Sequence, residues 1–143
     1  MFFWFLDLER LLADKAWLPV ERALAESRSR FPQLTVGALE TLIYISRRQK
    51  QIDAGSLTLP KIARDLGVPY STLARHTDLL GAGVGGREGL GLLKKKGGQG
   101  RVYSIEITPA GMHFLSQIYV ALRPSQKENL LTFNSDTGSI PDK

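Results

Sequence analysis

The sequence predicts a mainly α domain with one small β-hairpin, an α+β fold, on three observations. TVGALETLIYISRRQK and TPAGMHFLSQIYVALR each carry apolar residues at helical spacing behind a threonine placed to cap the first turn. LPKIARDLGV and PYSTLARHTDLL are two shorter helical runs broken at Gly67. LLKKK and RVYSIEI are extended runs on either side of GGQG, the pattern of strand, tight turn and strand. A chain of 143 residues is long enough to bury one substantial core, and 43% apolar with 23% charged residues is the balance of an ordinary globular protein. Zero cysteines remove disulfides, thiolate zinc sites and thiol chemistry together.

At the N-terminus, Phe5, Leu8, Leu11, Leu12 and Ala16 recur at the spacing of an amphipathic helix. Asp7 and Glu9 interrupt the aromatic start far short of the ~20 apolar residues a membrane span needs, and no basic segment precedes it, so neither a signal peptide nor a membrane partner is expected. Pro19 fits the first turn of a second helix running to Ser27. Residues 1–30 therefore form an N-terminal helical segment whose apolar face must be covered by a second subunit or by the rest of the domain. Thr35 caps the next helix, in which Val36, Leu39, Leu42, Ile43 and Ile45 make the expected buried stripe and Arg47, Arg48 and Lys50 close the end its dipole favours. QIDAGS reads as a loop, LTL as a short strand, and the glycine-rich GAGVGGREGLG as a mobile connection. Thr108 and Pro109 open the last helix, of which residues 111–123 form a separate C-terminal segment, and residues 124–143 form a tail expected to fray.

Charge is uneven. The chain carries a net +5, of which +4 lies in residues 58–107: Lys61, Arg64, Arg75, Arg87, Lys94, Lys95, Lys96 and Arg101 oppose Asp65, Asp78, Glu88 and Glu106. Concentrated basic charge points to a polyanionic partner. Enzyme readings find no support, because there is no Ser/His/Asp set, no pair of carboxylates in apolar context and no Walker-type GK[ST]. Gly81 to Gly86 matches GxGxxG, but a helix precedes it and an extended segment follows, the reverse of a dinucleotide-binding turn. No cofactor is expected.

A helix-turn-helix needs a small residue where its helices cross, a residue tolerant of positive φ in the turn, and an apolar anchor in the second helix. Counting Leu59 as the first position, Ala63 stands fifth, Gly67 ninth and Leu73 fifteenth, which meets all three demands. The second helix then offers Tyr70, Ser71, Thr72, Arg75 and His76 to double-stranded DNA. Arg75 is the candidate for bidentate contact to guanine, and Ser71 and Thr72 are candidates for base or phosphate. His76 stands where an aliphatic residue is the usual occupant and reads first as a satisfied, half-buried histidine. Lys61 and Arg64 on the first helix join the candidate DNA-binding set. So do Lys94, Lys95, Lys96, Gln99 and Arg101 of the hairpin, with Gln99 and Arg101 placed for the minor groove and Leu92, Val102 or Ile105 facing the core.

LTLPKIARDLGVPYSTLARHTDLL followed by GLLKKKGGQGRVYSIEITPAG resembles the winged helix-turn-helix of the multiple-antibiotic-resistance regulator (MarR) family, and LTVGALETLIYIS resembles the helix before it. The resemblance spans about residues 34–115. It implies a winged helix-turn-helix over 31–110 with N- and C-terminal dimerisation helices, a homodimer, and repression of transcription at a palindromic operator in the bacterial cytoplasm. The chain departs from the family pattern in having Gln99, not Asp, two residues before Arg101, in His76, and in the insertion from Gly81 to Gly91. The alternative reading is a winged helix serving plasmid or phage replication, or protein contact. A small-molecule effector is a further candidate partner, with Trp17, Phe31 and Tyr44 as the aromatic side chains to line its pocket.

Overall fold

The computed structural model describes residues 8–49, 57–96 and 104–123. Its order is α1 (residues 8–12), α2 (Trp17–Arg30), α3 (Val36–Gln49), α4 (Leu59–Leu66), α5 (Tyr70–Leu80), β1 (Gly83–Val84), β2 (Arg87–Glu88), β3 (Leu93–Lys96), β4 (Ser104–Ile107) and α6 (Pro109–Leu122). This is an α+β fold of the winged-helix kind. Residues 27–117 make one compact unit, and the described parts of 1–26 and 118–143 make another.

In the larger unit α3 packs against α5 and β4, and α4 packs against α5. The α3 cap forms as the sequence predicts, with the Ala38 amide donating to Thr35 Oγ1 at 3.1 Å. Its buried face differs. Ala38, Leu39, Thr41, Leu42 and Ile45 are inside, whereas Val36 is 70% exposed and Ile43 is also exposed. Residues 38, 41, 42 and 45 already form a complete i, i+3, i+4, i+7 face, so Val36 and Ile43, seven apart, fall on the neighbouring stripe. Thr41 is tolerated in the core because its hydroxyl donates to the Gly37 carbonyl at 2.9 Å.

The helix-turn-helix positions behave as their chemistry requires. Ala63 is buried at the α4–α5 crossing, Leu73 is fully buried, and Gly67 takes φ +67° as the C-cap of α4. The Val68 amide then donates to the Ala63 carbonyl at 3.1 Å, which closes the turn. A Cβ at Gly67 would meet nothing within 4 Å. Gly67→Ala should therefore carry only the backbone cost of the left-handed region, about 1 kcal/mol in urea denaturation; a loss above about 3 kcal/mol would reveal a steric demand absent from this geometry.

The glycine-rich segment is where expectation and structure part. The segment expected to be a mobile connection forms an antiparallel hairpin pairing Gly83 with Glu88 and Val84 with Arg87. Gly85 (φ +62°) and Gly86 (φ +82°) supply the two positive φ angles of a type I′ turn. Amides of Leu90, Gly91 and Leu92 donate back to carbonyls of Leu79, Gly81 and Leu80 at 2.7–3.0 Å, which ties the hairpin to the end of α5. No side chain fits at its waist: a Cβ on Gly83 would lie 1.9 Å from the Arg87 carbonyl oxygen.

The second hairpin pairs Leu93 with Ile107, Lys94 with Glu106, Lys95 with Ile105 and Lys96 with Ser104. The strand expected at LTL contracts to a single bridge between Thr58 and Ser104, because Leu59 already begins α4. Residues 1–7, 50–56, 97–103 and 124–143, among them Phe5, Asp7, Lys50, Gln99, Arg101 and Val102, lie outside the described residues. Thr108 caps α6 and joins three segments. Its hydroxyl donates to the Gly91 carbonyl at 2.7 Å and accepts from the Gly111 amide at 3.0 Å, while its own amide donates to the Leu92 carbonyl at 3.0 Å. Phe114, 2% exposed, meets Phe31 edge-on with ring centroids 4.9 Å apart.

In the smaller unit the Trp17 indole N–H donates to the Leu11 carbonyl at 2.8 Å, and α2 is longer at both ends than Pro19 and Ser27 suggest. Leu8, Leu11, Leu12, Leu18, Leu24, Tyr119, Val120 and Leu122 are exposed. Among the described residues no helix is long and apolar enough to cross a membrane.

Candidate nucleic-acid interface

The start of α5 follows Pro69, which has no side chain able to cap it, and no side-chain cap bond forms. Its leading amides thus remain available to an anion; Tyr70 and Ser71 are exposed there, and Arg75 is exposed a turn further on. Thr72 is half-buried. On α4, Arg64 is exposed and Lys61 half-buried.

His76 is half-buried but not satisfied: its Nδ1 is buried and has no hydrogen-bond partner. Its ring lies against the α3 backbone at Gly37, where a Cβ would stand 2.6 Å from His76 Cε1. A glycine at position 37 is what admits an imidazole where the sequence pattern leads one to expect an aliphatic side chain. The pairing of Gly37 with His76 was not readable from spacing, since the two lie on different helices.

The lysines of the hairpin divide between its faces. Lys94 and Lys96 lie on the face of Glu106 and bond its two carboxylate oxygens at 3.1 and 3.3 Å, whereas Lys95 stands opposite Ile105. All three are exposed, and Leu92, Leu93, Ile105 and Ile107 face the core. The Lys94 bond, helped by Lys96, holds the Glu106 carboxyl below the usual carboxylate range. This carboxylate is a residue that charge counting treated only as a debit. A two-residue strand period and the hairpin register are the signals that would have placed it between two lysines.

The three aromatic candidates for an effector pocket take separate local partners: Trp17 the Leu11 carbonyl, Phe31 the Phe114 ring, and Tyr44 the Asp65 carboxylate. Burial pushes the Tyr44 phenol up, and Asp65 adds to the shift, while Arg48 sits 5.4 Å from the ring centroid. The GxGxxG stretch runs from the end of α5 into β1, so a helix precedes it and a strand follows, as the sequence order predicts.

These features define a winged-helix-like protein with a basic hairpin beside an uncapped second helix. No family model matches the sequence. No curated protein matches it. The chain is similar to the crystal structure of RV1404 from Mycobacterium tuberculosis, with a TM-score of 0.57 and 19% identity over 96% of this chain and 95% of that one. At that identity the likeness speaks to the fold.

Proposed function

We propose that the protein is a sequence-specific double-stranded DNA-binding transcription regulator of the MarR kind, acting as a homodimeric repressor at a palindromic operator in the cytoplasm. One observation carries the reading: the open amides at the start of α5, with exposed Tyr70 and Ser71 there and exposed Arg75 a turn on, lie in the same compact unit as the Lys94–Lys96 hairpin. Phosphate oxygens suit those amides and lysines, and a guanine edge suits Arg75. The exposed apolar side chains of α1, α2 and the end of α6 are the surface a second copy would cover. Two α5 helices about 34 Å apart then enter successive major grooves.

Titration of a palindromic duplex, selected from random sequence, tests this at several salt concentrations. A dimer neutralising about ten phosphates gives a slope of log K on log salt near −9. Weak binding with a flat salt response would refute it. Arg75→Ala should lower discrimination between operator and random duplex by roughly tenfold, and Lys96→Ala should weaken both alike. Glu106→Gln should strengthen binding to every duplex, because it releases Lys94 and Lys96 from their shared carboxylate. Sedimentation equilibrium of the free protein should give twice the chain mass.

A further inference from the structure

A cavity of about 350 Å³ lies among the C-terminal turn of α5, the β1–β2 hairpin and the β3–β4 hairpin, inside the unit of residues 27–117. That volume is within the range of small-molecule sites, about 300–1,000 Å³. Leu93, Ile105 and Ala82 give it an apolar side, and Asp78, Lys95 and Lys94, the last already bonded to Glu106, also line it. Asp78 and Lys95 carry opposite charges, yet they do not bond each other. Among the described residues, half-buried Asp78 forms no hydrogen bond or ion pair, and Lys95 engages another group. An ammonium has three donors, enough to keep that partner and donate to a second. A partly desolvated carboxylate beside apolar surface is improved by an arriving cation.

We infer that this cavity binds a small zwitterion with an apolar body, an α-amino acid or a close chemical relative. Its ammonium pairs with Asp78, its carboxylate with Lys95, and its side chain covers Leu93 and Ile105. A plain amine would satisfy Asp78 and meet Lys95 as a like charge, and a plain carboxylate would do the converse. The inference also gives the Gly81–Gly91 insertion a task, since Gly81, Ala82, Gly83 and Gly91 form one wall of the cavity. That occupancy would alter DNA binding rests on the proposed function; the binding itself does not.

Isothermal titration of the full chain with L-leucine and L-phenylalanine, and with the amine and the acid that lack one pole of each, tests it without DNA. At least one amino acid should bind once per chain, about tenfold more tightly than its own amine or acid. Asp78→Asn should reduce that amino acid to the affinity of its acid, and Lys95→Met to that of its amine. Absence of binding by every amino acid, equal affinity for a one-pole analogue, or full preference retained in both variants would overturn the inference. Because the readout is heat of ligand binding, its failure leaves the DNA-binding proposal standing, and the converse holds too.

Discussion

Phe114→Ala is expected to lower the free energy of unfolding by about 3–5 kcal/mol. Among the described residues Phe114 is the largest fully buried side chain, and its ring meets Phe31 at an interplanar angle of 79°. Removing it leaves a void lined by α6 and by the segment that joins α2 to α3, neither of which can collapse without losing its other contacts. Domains of this size hold about 5–15 kcal/mol in all, so the variant should be close to unfolding at body temperature. Urea denaturation followed by circular dichroism measures it. Phe31→Ala, at a half-buried site, should cost less, and a double-mutant cycle should return a coupling of about 0.5–1.5 kcal/mol for the edge-on pair. A loss under 1 kcal/mol for Phe114→Ala would mean that the ring is not the centre of this core.

Gly111→Ala should also destabilise, by about 3 kcal/mol, and here the sign is the test. In an exposed helix interior the same change is favourable by about 0.8–1 kcal/mol, because alanine is the better helix former. At position 111 a Cβ would stand 2.3 Å from the Leu92 carbonyl oxygen and 2.7 Å from Ile107 Cγ1. The first of these is backbone already committed to the Thr108 amide, so it cannot move aside without breaking that bond. A stabilised variant in thermal melts would show that α6 does not lie this close to the hairpin.

Much of the helix-turn-helix was legible because its demands are local and steric. Ala63 at the crossing, Gly67 in the turn and Leu73 in the second helix each answer one geometric requirement, and fixed offsets carry that information along the chain. The caps Thr35 and Thr108 were legible for the same reason. Less readable was anything decided by a distant partner. Val36 and Ile43 satisfy a helical period as well as Ala38 and Thr41 do, and only the position of α5 and β4 decides which stripe is covered. The glycines from Gly81 to Gly91 look like breakers because two-residue strands have too few side chains to show alternation. Glycine there is instead required by close backbone approach at Gly83 and Gly89 and by positive φ at Gly85 and Gly86. In the candidate interface, Arg75 and the lysines were found by type and spacing. The Glu106 clasp depends on register and the seat of His76, with its unbonded Nδ1, on a contact with another helix, so neither could be found that way.

The threonine at position 108 has a consequence for how the unit opens. Through one hydroxyl and one amide it fastens the start of α6 to Gly91 and Leu92, the residues that lead from the glycine hairpin into β3. Segments bonded through a common residue cannot fray independently, so the two should behave as a single foldon. In native-state hydrogen exchange the amides of Thr108, Gly111 and Met112 should share one opening free energy with those of Gly91 and Leu92. The last helix would then report, by its exchange rate, on whether the hairpin beside α5 is closed.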